Sequence, residues 1–383
     1  MQRDMHYYGV YALSRMAGIE PATAQIIAHA SQFVDDATEK RHRITLGGQP
    51  PIETIMTAHK LLDYEKNDDP ADQRRVWVPF HFLPARTGAG ANEPGEPGEP
   101  GEPGEPGEPG EPLVCRQNSE LAQSILTYAL RQQNQAFAAH LAGIVAHVYA
   151  DTFSHDGFAG CRSEWNNVSS CDIAHGSVSW TRLTHWLREE LEECAVKIEG
   201  LIAGELFPIG HAAAGSFPDL PYLKWEYAAN NKKRIRRANP RCFLDCCENL
   251  YAFFKNIKEQ ACSLTPSRKD SPFAPVKKRL KRILALEDSL EKREAKWGEA
   301  IREGCFSPAE EERDFVSYSE GAWKVSGIRG RDTAKREEDI KSARLFFQAA
   351  REYQDYAVNG LLNNFPERAT SASQMRKPHE QAA

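Results

Sequence analysis

Residues 140–155 read His-Leu-Ala-Gly-Ile-Val-Ala-His-Val-Tyr-Ala-Asp-Thr-Phe-Ser-His. On a helix turning 100° per residue, with His147 at the origin, His140 falls at about 20°, Asp151 at about 40° and His155 at about 80°. Four polar groups thus share one arc of an otherwise apolar helix. Burying such polarity costs free energy unless a partner compensates. A bound cation would do so, and imidazole with carboxylate is a ligand set suited to zinc. A histidine hydrogen-bonded to an acid four residues on also serves as a plain tie between helices. His140 fits a satisfied core histidine or a group behind the ligands.

Further candidates sit in unusual local contexts. His6 follows Asp4 at the start of the first helix. Asp35 and Asp36 end the second helix, where adjacent acids oppose the helix dipole and need another reason to be there. His81 lies in the apolar, proline-bounded stretch Val78-Pro79-Phe80-His81-Phe82-Leu83-Pro84. His211 leads through Ala212-Ala213-Ala214-Gly215 to Asp219, and small residues there allow close backbone approach. His59 and His175 are weaker candidates. His29, His42, His185 and His379 read as surface or core histidines.

The elements that must position these groups read almost entirely as helices. Apolar spacing predicts them over 6–17, 21–33, 52–63, 118–154 with a break midway, 179–204, 241–262, 276–304 and 334–364. No strand-like alternation persists beyond a few residues, so the expected class is all-α. The expected form is a multi-helix bundle whose buried central helix carries metal ligands, plus a helical C-terminal extension. The site domain spans 1–225, interrupted by a Glu-Pro-Gly low-complexity loop over 86–114. The extension covers 226–365, and the polar tail 366–383 reads as disordered.

Composition limits the function classes. The 383 residues carry 48 Lys and Arg against 54 Asp and Glu, and 41% are hydrophobic. Seven of the acids lie in the Glu-Pro-Gly repeat, so the remaining chain is near neutral, unlike a protein built mainly to grip duplex nucleic acid. The basic runs Lys232–Arg237 and Lys277–Arg282 read as solvated helix faces, or as steering charge for an anionic substrate if they flank the site. No apolar run approaches a membrane span and no apolar leader is evident near Met1. The nine cysteines include no Cys-x-x-Cys pair. Free thiols in a reducing compartment are expected, and hence the cytoplasm.

The stretch His147-x-x-x-Asp151-x-x-x-His155, with earlier His6, Asp35 or Asp36 and His81 and later His211 and Asp219, resembles the metal-ligand order of the zinc-dependent phospholipase C and single-strand-specific nuclease superfamily. The phrases His6-Tyr7-Tyr8, Ser31-Gln32-Phe33-Val34-Asp35-Asp36 and Pro218-Asp219-Leu220-Pro221 also look like an uncharacterised bacterial domain family. The superfamily resemblance implies a helical fold holding two or three Zn2+ ions, with Mn2+ or Fe2+ as substitutes. By that resemblance Asp151 bridges two metals and His6 is a ligand from the first helix. Asp35, His81 and His147 complete one of the pair, and His155, His211 and Asp219 hold the third. The superfamily's secreted members also use the amine of an N-terminal Trp. Here Met1 is not Trp, and Asp4 is the expected substitute.

The function expected is a metal-dependent hydrolase, a phosphoesterase using metal-activated water, with Asp35 or Asp36 as general base. Its substrate would be a phosphoester small molecule, a lipid headgroup or single-stranded nucleic acid. Two alternatives stand beside it. One is a non-catalytic metal-binding or structural helical protein. The other is a His-Asp type phosphohydrolase built on the dipeptide His155-Asp156.

Overall fold

The computed structural model describes residues 1–39, 43–44, 51–59, 69–85, 113–173, 209–229, 233–260, 272–328 and 333–362. The Glu-Pro-Gly repeat, His175, the helix expected over 179–204 and the tail 366–383 lie outside the described residues. A π-helical turn, Asp4–Gly9, opens the fold and runs directly into α1, Val10–Met16, and every residue of both is buried. π-turns displace side chains from the ordinary helical register and often occur at functional sites. The chain reverses at Gly18, whose φ of 86° suits glycine. α2, Pro21–Asp36, then begins with proline in its first turn and the Glu20 carboxylate accepting from the Thr23 amide.

α3, Pro70–Arg75, and α4, Trp77–Phe80, are short and lead into His81. α5, Glu120–Arg131, is capped by Ser119, whose Oγ accepts from the Ala122 amide at 3.2 Å. The polar residues Gln132 to Gln135 then break the apolar pattern before α6, Ala138–Ser154. Every residue of α6 except Ala139 is buried. An α-helix has no backbone polarity to lose in such a place, which is why it can pass through the core. α2 makes the most extensive contact with α6. Their crossing is close at Gly143, where a Cβ would lie 2.2 Å from the Ile27 carbonyl oxygen and 2.7 Å from the Ala30 Cβ.

The purely all-α expectation is wrong. Helices dominate, but β3, Ser169–Ile173, β4, Lys224–Ala228, and β5, Arg234–Ala238, form a three-stranded antiparallel sheet in the order β3-β4-β5. A smaller pair joins β1, Arg43–Ile44, to β2, Ile52–Glu53, and no helix runs from 52 to 59. The physical reason is pairing that a single strand does not advertise. Trp225 and Tyr227 of β4 face the interior while Lys224 and Glu226 face outward. β5 belongs to the first basic run, but it is no helix face: Arg234 and Arg236 meet Glu226 across the strands at 2.7 and 3.1 Å. Such cross-strand pairs favour the sheet where a helix would leave the charges unpaired.

The remaining helices are α7, Asn239–Gln260; α8, Phe273–Leu284; α9, Leu290–Arg302; α10, Val325–Ile328; and α11, Thr333–Asp355. The single helix expected over 276–304 is therefore two helices. Buried ion pairs bind this later part of the chain to the first helices. Arg293, 1% exposed, donates from Nε to the Asp4 carboxylate at 2.9 Å, and from Nη2 to the Gln2 side chain. Arg15, fully buried, donates to Glu312 at 2.6 Å, and Glu312 also accepts from Tyr11 at 2.7 Å. Among the described residues, no helix is long and apolar enough to cross a membrane.

Two substitutions test these constraints. Gly143→Ala overpacks the α2–α6 crossing and should destabilise the fold by about 1–3 kcal/mol, read as a lowered midpoint in urea unfolding. Arg15→Leu strands the buried Glu312 carboxylate and should cost about 3–5 kcal/mol. A loss under about 1 kcal/mol in the same measurement would mean that this pair does not hold the two parts together.

Candidate metal centre

α6 carries three of the groups inward. His147 and Asp151 lie one turn apart, and His155 caps the helix C-terminus. Asp151 is 1% exposed. Its Oδ2 lies 3.2 Å from His147 Nε2, 3.3 Å from His81 Nδ1 and 3.7 Å from His155 Nδ1. Its Oδ1 lies 3.1 Å from His6 Nε2. His6 comes from the opening π-turn and stacks on His147 with ring centroids 3.9 Å apart. Asp35, at the end of α2, approaches both His81 and His147 at 3.8 Å.

A second cluster adjoins the first. His155 Nε2 and His211 Nε2 each lie 3.4 Å from the Asp219 carboxylate. The potential ligands thus fall into three groups, each with its donor atoms within 4.8 Å: His6, His147 and Asp151; Asp35, His81 and His147; His155, His211 and Asp219. Three imidazoles are oriented by backbone carbonyls. His81 Nε2 donates to Thr57 at 2.8 Å, His155 Nδ1 to His81 at 2.7 Å and His211 Nδ1 to Gly215 at 2.8 Å. Such outer bonds fix the tautomer and leave the other nitrogen free for the cluster.

The donor set fits a divalent cation. Nitrogen and oxygen donors of these types are what zinc takes. His6 Nε2 and Asp219 Oδ1 are buried and lack a well-aligned hydrogen bond, although Asp151 Oδ1 lies 3.1 Å from the first and the Met1 amine 3.2 Å from the second. In the ion-free cluster the buried carboxylates, the imidazoles and the Met1 amine act on one another. Burial alone would raise the Asp151 carboxyl, but His155, the Met1 amine, His147 and His6 hold it well below the usual range. Burial lowers His6 to about 4, aided by His147 and the Met1 amine. Burial pulls on the Met1 amine in the same direction, yet Asp151, Asp219 and Asp35 hold it at about 11.

That amine is a group the sequence does not announce. The Met1 nitrogen lies 2.6 Å from Asp151 Oδ1 and 3.2 Å from Asp219 Oδ1, between the two clusters. Asp4, the expected substitute, turns away to Arg293. Asp36 also turns away: it accepts from the Tyr318 hydroxyl at 2.6 Å, and burial raises its pKa. His59 pairs with Asp72 instead. His140 sits 5.3 Å from the Trp323 ring, with burial lowering it to about 3, and joins none of the three groups.

A cleft of about 150 Å3 opens onto the clusters. Met1, Asp35, His81, Asp151, His155, His211 and Asp219 line it together with Trp77 and Phe82. Phe82 stacks on His155 with centroids 4.4 Å apart. The apolar loop around His81 hinted at such a wall, but only the fold places Trp77 beside it. A larger surface groove of about 510 Å3, near Arg3, Glu294 and Tyr318, has no imidazole on its walls.

No curated protein and no solved structure matches the chain. Residues 1–361 match the model of DUF6765, a family of unknown function, and the chain belongs to that family.

Proposed function

We propose that this protein is a metal-dependent hydrolase, a phosphoesterase of the type its sequence resembles. The observation that carries the reading is the convergence of three ligand groups on one cleft, with His147 shared by two of them. Divalent cations there, Zn2+ by donor type and Mn2+ or Fe2+ as alternatives, would polarise a phosphoryl oxygen and activate water. Asp35 is 34% exposed at the cleft, close to His81 and His147, and would accept the proton of the attacking water. Trp77 and Phe82 would narrow the cleft around the reacting group and exclude bulk water. Asp151, with His6, His81 and His147 within 3.3 Å of its carboxylate, would keep two ligand groups in register.

Elemental analysis of the purified chain, before any chelator, should find two or three divalent ions per molecule. His147→Ala should lose most of them while circular dichroism retains the helical signal. A His147→Ala protein with full metal content would contradict the assignment. With a chromogenic phosphodiester, Asp35→Asn should lower turnover about 10²–10⁴-fold, whereas Asp36→Asn should stay within a few-fold of the parent. Bound metal without turnover on any phosphoester would favour a metal-binding protein that is not an enzyme.

A further inference from the structure

The sheet that departs from the helical pattern ends beside the third ligand group. Arg237 of β5 pairs in register with Trp225 of β4, and its guanidinium lies 5.9 Å from the centre of that indole ring. The fork then reaches the C-terminal end of α6. Nη1 donates to the Asp156 carbonyl at 2.6 Å, and Nη2 to those of Phe153 and Ser154 at 2.8 and 3.0 Å. These carbonyls lie on both sides of His155. A cation is well placed there, because the helix presents unpaired carbonyls and the negative end of its dipole.

Two residues on, Asn239 does the same for Asp219. It is 1% exposed, and its Nδ2 donates to Phe217 at 2.7 Å, Pro218 at 3.3 Å and Leu220 at 2.8 Å. Those carbonyls flank Asp219. Asn239 Oδ1 accepts from Trp225 Nε1 at 3.1 Å, which fixes the amide's direction. Trp225 thus links the two contacts: it lies under one side chain and donates to the other. Neither Arg237 nor Asn239 touches His6, His147 or Asp35 through any described hydrogen bond or ion pair.

We propose that Arg237 and Asn239 are positioning residues for the third metal ion, the one that His155, His211 and Asp219 would hold. The end of β5 and the first residue of α7, which carry them, set the distance between His155 and Asp219, two groups 64 positions apart in the chain. The two other ligand groups are built on α2, α6, the opening π-turn and the His81 loop, so loading of the third ion is separable from loading of the pair. The inference rests on the metal reading above.

The test titrates chelator-stripped full-length protein with Co2+, following visible absorption, with calorimetry for stoichiometry. The parent should show a binding event that His211→Ala removes. Arg237→Gln should weaken that same event about 10–100-fold and leave the others within two-fold. Arg237→Lys, which keeps the charge without the fork, should recover part of the loss. Asn239→Ala should act like Arg237→Gln, and Arg236→Gln, on the outward face of β5, should change nothing. A residue with only a general structural role would lower the melting temperature of the stripped protein and leave every cobalt affinity intact. That result overturns the proposal, as does loss of all ions together in Arg237→Gln or in Arg237→Lys. A parent that takes up no ion at all would instead reject the metal reading itself.

Discussion

A carboxylate almost wholly withdrawn from solvent is the constraint on which this fold turns. Asp151 sits on a helix whose other residues are almost all apolar and buried. An ionised group in such a place is stable only if positive charge and hydrogen-bond donors surround it. The chain brings the Met1 amine and four imidazoles to within 3.7 Å of it from five places: the first residue, the opening π-turn, the His81 loop, the preceding helical turn and the residue that caps the helix. Each of those segments must therefore converge on one point. The close α2–α6 crossing at Gly143 and the burial of the whole first helix are consequences of that demand.

The later third of the chain contributes no group to the three ligand sets, yet it holds the earlier part in place. Arg293 reaches Asp4 two residues before His6, and Glu312 gathers Arg15 and Tyr11. Tyr318 takes up Asp36. These buried pairs gain little over apolar packing of equal volume, but breaking one leaves an uncompensated charge. Their effect is on register: they fix where the opening π-turn sits relative to α6.

The ligand stripe was legible in the sequence because an apolar background makes imidazoles and a carboxylate conspicuous. The neighbouring acids Asp35 and Asp36 were legible only as a pair. Successive helical residues diverge by 100°, so they cannot serve one site together, and the choice depends on where Tyr318 lies. The sheet was not legible. Ser169–Ile173 offers only Cys171 and Ile173 as an apolar face, too short a pattern to mark a strand, and the basic residues of β5 acquire meaning only opposite Glu226. The place of Met1 depends on a contact spanning 150 positions, and no local pattern encodes such a contact. Arg237 was hidden differently, in a run whose described basic neighbours Lys233, Arg234 and Arg236 are exposed.

The composition of the cleft bears on what can enter it. Three carboxylates, Asp35, Asp151 and Asp219, line its walls, and the Met1 amine is the cation there, with no Lys or Arg among the described lining residues. Such a surface repels an anion, since like charges a few ångströms apart in a partly desolvated site cost far more than in water. Divalent ions reverse the sign of that field and at the same time provide open coordination positions. On the proposed reading, anion affinity at this cleft would be conditional on metal occupancy, and the aromatic walls of Trp77 and Phe82 would deepen that dependence by lowering the local dielectric. A chain that relied on surface arginines for substrate capture would bind its anion with or without metal. Here Arg234 and Arg236, the exposed arginines of β5, are already paired with Glu226, so on the proposed reading capture would fall to a cation held by the imidazoles and carboxylates.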